Sequence, residues 1–180
     1  MRNEKLLNFT EVGVLSSIGI ILDYLSSLFG VAWPNGGSIG VAMVAILIMA
    51  YRRGLLYGLL TGLIIGLLQI LYAGEGFLNI FQAFFDYYGA YAIVGVAGII
   101  YPLSKRKYKI ATIIIGTFIG CLLRFILHTI GGVVFWKVDW IGSILYNGSY
   151  MLPSFILTTV VMILIFTIQP QLLIPDLKEE

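Results

Sequence analysis

From residue 9 to residue 168 the chain is a succession of long apolar runs, separated only by short polar or glycine-rich stretches. Nothing else limits its fold as much. No water reaches the hydrocarbon core of a membrane to satisfy backbone N–H and C=O groups. A chain surrounded by lipid must therefore close its hydrogen bonds within helices or within a sealed barrel. Barrel strands alternate apolar and polar residues over about ten positions. Here the runs are continuous and approach the ~20 residues a helix needs to cross ~30 Å of hydrocarbon. The sequence predicts an all-α membrane protein of six transmembrane helices, near 9–30, 38–51, 54–73, 78–102, 110–135 and 141–168. Composition agrees. Of the 180 residues, 59% are hydrophobic and 11% charged, where a soluble domain carries about 25% charged residues. No linker or second unit is visible, so residues 1–180 are expected to form a single six-helix membrane domain with the lipid bilayer as its surroundings.

The basic residues predict the orientation. Arg2 and Lys5 precede the first segment, and Arg52 and Arg53 separate the second and third. Lys105, Arg106, Lys107 and Lys109 separate the fourth and fifth, and Lys178 follows the sixth. With six spans these fall on one side, while Lys137 stands alone on the other and Arg124 lies within a segment. Cytoplasmic loops carry the excess of Lys and Arg. Both the N- and the C-terminus are therefore expected in the cytoplasm of a multi-pass protein. A net charge of +2 without a basic reading surface argues against a nucleic-acid partner. One cysteine, Cys121, and one histidine, His128, cannot assemble a zinc- or iron-type ligand set, so neither metal nor cofactor is expected.

Ionisable residues inside membrane helices are costly and tend to mark function. Four lie well inside: Asp23, Asp86, Arg124 and His128. At ~1.5 Å per residue, Asp86 and His128 each fall roughly 10 Å below the outer ends of their segments, with Asp23 at a similar level. Tyr146, Asn147 and Tyr150 open the sixth segment at that same depth. Four segments bringing polar groups to one stratum of the outer half predict a binding pocket open to the outside. Arg124 and His128, four apart, share a helix face. An unpaired Arg at that depth needs a carboxylate, so Arg124 is expected in a structural ion pair with Asp86, or else with Asp23. Trp33 and Trp136 flank the outer loops. They fit either an interfacial aromatic belt or caps on the pocket.

Other features exclude chemistry. No nucleophile motif accompanies His128. Gly54, Gly58, Gly62 and Gly66 recur every four residues on the third segment but lack the Lys-Ser/Thr of a phosphate-binding loop. They are expected to let a neighbouring helix approach closely. Any ATP that drives transport must then be hydrolysed by a partner. Three readings compete: a vitamin-binding transport subunit, a transporter for another small vitamin or precursor (solitary or not), and an intramembrane enzyme using Asp86 and His128.

The particular residues resemble one family. Thr10-Glu11, Gly36-Gly37-Ser38-Ile39, Arg52-Arg53-Gly54, Gln82-Ala83-Phe84-Phe85-Asp86-Tyr87, Arg124 with His128, Gly132, Phe135-Trp136 and Tyr146-Asn147-Gly148-Ser149-Tyr150-Met151-Leu152-Pro153 occur in order along nearly the whole chain. Together they resemble the thiamine-specific S-component of energy-coupling factor (ECF) transporters. The resemblance implies capture of thiamine from outside a bacterial cell membrane. It also implies docking on an ECF module of one transmembrane subunit and two ATPases. It assigns the pocket carboxylate to Asp86, with Tyr87 beside it, and the pocket histidine to His128. The stacking tryptophan falls on Trp136, the small residue near the ligand on Gly132 and a tyrosine on Tyr146. A basic residue of the family falls on Arg124, and Trp33 could serve as the tryptophan of the first outer loop. A family asparagine aligns with Met151, and Asn147 stands one turn earlier on the same face. Gly13 and Ser17 match the spacing of the family's Ala-x-x-x-Ala docking pattern, though not its residue types.

Overall fold

The computed structural model describes residues 4–28, 33, 37–72, 79–100 and 110–174, and all regular structure among them is helical. In chain order α1 is Glu4–Leu28, α2 Met43–Arg53 and α3 Leu55–Gln69. Residues 80–100 form one continuous but uneven helix, α4. It runs through an α turn at Ile80–Ala83, a π turn at Phe84–Tyr88, another α turn at Gly89–Ala92 and a 3₁₀ stretch at Ile93–Ile100. Then come α5, Ile110–Val134, α6, Trp140–Ile168, and a 3₁₀ turn at Pro170–Leu172. Arg2, Pro34-Asn35-Gly36, Ala73–Gly76, the basic cluster Lys105–Lys109 and Lys178 lie outside the described residues.

Three of these helices, α1, α5 and α6, are long and apolar enough to cross a membrane. Their outward faces carry Ile18, Ile21 and Leu25 on α1, Ile115, Phe118 and Ile126 on α5, and Leu145, Leu152 and Ile156 on α6. Exposed apolar surface on that scale is costly in water and favourable in lipid. The second segment departs from the predicted 38–51. Residues 37–41 are not helical, and α2 begins only at Met43. The reason is local. The Gly37 amide donates to the Tyr146 hydroxyl (3.3 Å) and the Gly40 amide to Ser154 Oγ (3.0 Å), so this backbone is tied across to α6. With 11 residues α2 spans only about 16 Å. It is apolar nearly all round and buried from Met43 to Leu47 and from Met49 to Tyr51, enclosed by α1, α3, α4 and α6.

Between α2 and α3 stands Gly54 alone, with φ of 89° in the region that favours glycine. The glycine ladder that follows admits a close neighbour, as its spacing predicts, and that neighbour is α4. A β-carbon on Gly58 would stand 3.1 Å from Gly95 Cα, one on Gly62 would strike the Tyr91 carbonyl, and one on Gly66 would lie 2.5 Å from Tyr88 Cα. Helices α3 and α4 therefore run antiparallel in backbone contact, and the last rung braces the π turn. One end of the bundle is closed by charge. Glu11 accepts from Arg52 Nη2 (2.9 Å) and Arg53 Nε (2.7 Å), while Arg52 Nη1 donates to the carbonyls of Gln171 (2.9 Å) and Leu172 (3.2 Å). Trp136 and Lys137 lie at the opposite end, over the start of α4.

Candidate functional site

Asp86 sits in the π turn of α4. Such a turn widens the helix by one residue and redirects the side chains it carries. The Asn79 side chain caps the start of α4, accepting from the amides of Phe81 (3.0 Å) and Gln82 (2.9 Å). From one turn back, Gln82 Nε2 donates to Asp86 Oδ2 (2.8 Å), and Trp136 Nε1 donates to the same oxygen (2.9 Å). Trp136 reaches it because Lys137 adopts a left-handed φ of 56° and turns the α5–α6 connection back over the bundle. His128 Nδ1 stands 4.0 Å from Asp86 Oδ1, and both side chains keep a little exposure, 12% and 14%. Opposite them a β-carbon on Gly131 would come within 2.8 Å of Asp86 Oδ1. Glycine at that position leaves the carboxylate its room.

Arg124 behaves differently from expectation. Among the described residues no ion pair within 4.0 Å involves it, so the predicted Asp86–Arg124 pair is not formed. Its guanidinium lies over the Tyr91 ring, 4.0 Å from the centroid, and its Nε donates to His128 Nε2 (3.3 Å). A nitrogen that accepts from a guanidinium carries no proton, so the imidazole proton is assigned to Nδ1, toward Asp86. Asp23 is also displaced from its expected role. It is 2% exposed between α1, α3 and α4, and accepts from Gln69 Nε2 (2.8 Å) and the hydroxyls of Tyr72 and Tyr91.

A second group approaches from α6. The Tyr150 hydroxyl donates to Asn147 Oδ1 (2.6 Å), and Asn147 Nδ2 donates to the Ser143 carbonyl (2.9 Å). Asn147 is buried with both amide ends engaged, so it orients Tyr150 rather than offering a free group. Trp33 Nε1 donates to Ser149 Oγ (2.8 Å), and its ring meets the edge of Tyr150 at 6.3 Å. Tyr146 lies 5.7 Å from Tyr150, and Tyr150 lies 6.4 Å edge-on to His128. The two groups thus join at His128 and Tyr150.

The remaining sequence-predicted residues divide. Tyr87 is half-buried next to Asp86, and its hydroxyl has no hydrogen-bond partner among the described residues. Gly132 faces Ser143 at the α5–α6 contact, where a β-carbon would strike Ser143 Oγ, with Asn147 Nδ2 3.8 Å away. The glycine beside Asp86 is Gly131. Gly13 faces open space on the outward side of α1, and the Ser17 hydroxyl is satisfied by the Gly13 carbonyl (2.9 Å). Sequence reasoning missed Gln82, Gln69, Tyr72, Tyr91 and Gly131. The signal for Gln82 was its spacing of four from Asp86, and the three donors to Asp23 are polar groups in or beside otherwise apolar runs.

As a chemical device the site is a half-buried carboxylate with two neutral donors on one oxygen and a neutral imidazole facing the other. Tyrosine and tryptophan rings surround it. Among the described residues no Lys or Arg lies within 4.0 Å of Asp86. Such an arrangement suits a ligand that brings N–H donors, a positive charge or both.

Three comparisons bear on identity. Residues 9–174 match the family model described as thiamine transporter protein (Thia_YuaJ). The chain is 34% identical over 189 residues to the thiamine transporter ThiT of Bacillus subtilis (strain 168), covering 97% of this chain and 98% of that relative. Against the thiamine transporter ThiT of Lacticaseibacillus paracasei it is 28% identical over 194 residues, with 96% and 93% covered. The solved structure of ThiT from Listeria monocytogenes has the same fold. Its TM-score is 0.82 at 22% identity, over 96% of this chain and 100% of that one.

Proposed function

We propose that this chain, which belongs to the thiamine transporter protein family (Thia_YuaJ), takes thiamine from outside into the site around Asp86 and delivers it inward with an ATP-driven ECF module. Its family places it among multi-pass membrane transport proteins rather than enzymes. The observation that carries the substrate reading is Asp86, a partly buried carboxylate with no cation in contact among the described residues. Thiamine carries a permanent thiazolium cation and an aminopyrimidine. Asp86 can accept from the exocyclic amine in a charge-assisted bond. Trp136, 41% exposed over the site, offers an indole face to the thiazolium, a contact worth about 2 kcal/mol when desolvated. Trp33, Tyr87, Tyr146 and Tyr150 complete the walls, and His128 spans the two groups. The test is a titration of the purified protein with thiamine. Saturable heat with quenched tryptophan fluorescence, and thiamine recovered unchanged, is the expected result. No binding would overturn the substrate assignment, and conversion of thiamine would favour the enzyme reading.

The same reading has six spans with both termini inside. Arg52 and Arg53 mark the cytoplasmic end, and Lys137 the outer one. In a Cys121→Ser background, an impermeant maleimide should label Lys137→Cys in intact cells and Lys107→Cys only after lysis. Equal labelling of Lys107→Cys in intact cells refutes the topology.

Docking on the ECF module falls to α1. Small residues permit close helix approach in lipid, and Gly13 and Ser17 are both exposed on α1, with nothing within 4 Å of a Gly13 β-carbon. Gly13→Trp and Ser17→Trp are expected to leave thiamine binding unchanged and to abolish co-purification with the module and ATP-dependent uptake. Retained co-purification removes α1 as the docking face.

A further inference from the structure

Asp23, Tyr91 and Arg124 form a buried polar chain that the uptake reading does not use. All three donors to Asp23 are neutral: Gln69, Tyr72 and Tyr91. They satisfy its oxygens without cancelling its charge. A buried carboxylate needs a cation nearby, and among the described residues none lies within 4.0 Å. Arg124 stands across the Tyr91 ring, its Cζ 4.0 Å from the centroid, while the hydroxyl of that ring reaches Asp23. One phenol therefore carries a guanidinium on its face and a carboxylate at its hydroxyl. In the other direction Arg124 Nε meets His128 Nε2 at 3.3 Å, and His128 Nδ1 stands 4.0 Å from Asp86. Arg124 thus lies between two carboxylates, one behind Tyr91 and one behind His128.

We infer that Asp23, acting through Tyr91, determines the charge specificity of the site: it holds Arg124 away from Asp86 and leaves the Asp86 carboxylate for a cationic ligand. The inference rests on the reading of that site as the thiamine site. Asp23 is 2% exposed and enclosed by its three donors, so its role is that of a positioning residue. If its charge is removed, Asp86 becomes the carboxylate within reach of Arg124. An internal ion pair then competes with the thiazolium and amine of thiamine.

The experiment is a double-mutant cycle on the full chain, with thiamine affinity read by calorimetry in wild type, Asp23→Asn, Arg124→Met and the double variant. Asp23→Asn alone should weaken binding at least tenfold. With Arg124→Met already present, adding Asp23→Asn should change affinity less than threefold, because the competing cation is gone. A purely structural role for Asp23 gives the opposite result, the same loss in both backgrounds, and overturns the inference. So does an unweakened Asp23→Asn. If Asp23→Asn fails to fold, Tyr91→Phe enters the same cycle, since it removes the hydroxyl link and keeps the ring beneath Arg124. Failure of the wild type to bind thiamine overturns the uptake reading and the inference with it. Failure of the cycle with wild-type binding intact overturns the inference alone.

Discussion

Asp86→Asn is expected to weaken thiamine binding ten- to a hundredfold, about 1.5–3 kcal/mol, the cost of one charge-assisted contact. The substitution is nearly isosteric. An amide oxygen can still accept from Gln82 and Trp136, which now converge on Asp86 Oδ2. What is lost is the negative charge and the second acceptor, the oxygen that faces His128 at 4.0 Å. Folding should therefore survive while affinity falls. Asp139 supplies the control. It caps α6 by accepting from the Gly142 amide (2.9 Å), and asparagine caps a helix about as well as aspartate. Asp139→Asn should leave affinity and thermal stability within error. Calorimetry that finds Asp86→Asn as tight as wild type, in well-folded protein, removes Asp86 from the binding site.

Much of this was legible in the sequence, and the gaps have physical causes. Long apolar runs dictate helices because lipid leaves the backbone no alternative, and the regularity of α1, α5 and α6 follows. The ladder from Gly54 to Gly66 foretold a close helix approach, although not which helix would fill it. Asp86, His128, Tyr150 and Tyr146 do gather at one end of the bundle, as their common depth implied, and Trp136 of the outer loop joins them. Periodicity assumes a uniform 3.6-residue turn, and α4 is not uniform. Its π turn re-aims Asp86, and no residue pattern in Phe84-Phe85-Asp86-Tyr87-Tyr88 announces it. Arg124 was misassigned for a related reason. Depth and spacing locate a side chain along a helix but do not choose between two carboxylates on different neighbours. The choice falls to Tyr91, whose ring offers the guanidinium a face and whose hydroxyl reaches Asp23. Gly132 and Gly131 are adjacent, and one residue on a helix is a rotation of about 100°, enough to set Gly131 against Asp86 and Gly132 against Ser143.

The glycine ladder predicts the second large effect, and it separates stability from binding. A β-carbon on Gly66 would lie 2.5 Å from Tyr88 Cα and 2.8 Å from the Tyr87 carbonyl oxygen. Both are backbone atoms, with no flexible side chain to yield. Gly66→Ala must push the π turn away from α3, and Asp86 and Tyr87 ride on that turn. Overpacking of this kind costs about 1–3 kcal/mol, and thiamine affinity should fall at least tenfold because the carboxylate moves with its backbone. Gly58 is the matched comparison. Its β-carbon would also meet backbone, 3.0 Å from Ala50 Cα and 3.1 Å from Gly95 Cα, but two turns away, about 12 Å along α3. Gly58→Ala should lower the melting temperature by several degrees and change thiamine affinity by no more than about threefold, since what shifts is α2 at Ala50 and the 3₁₀ end of α4. Gly13, with nothing within 4 Å, should tolerate alanine without a change in either. Paired thermal and calorimetric measurements decide the matter. Equal losses of affinity at Gly58 and Gly66 would mean that the ladder only holds the bundle together, and that the π turn is not what aims Asp86 at the ligand.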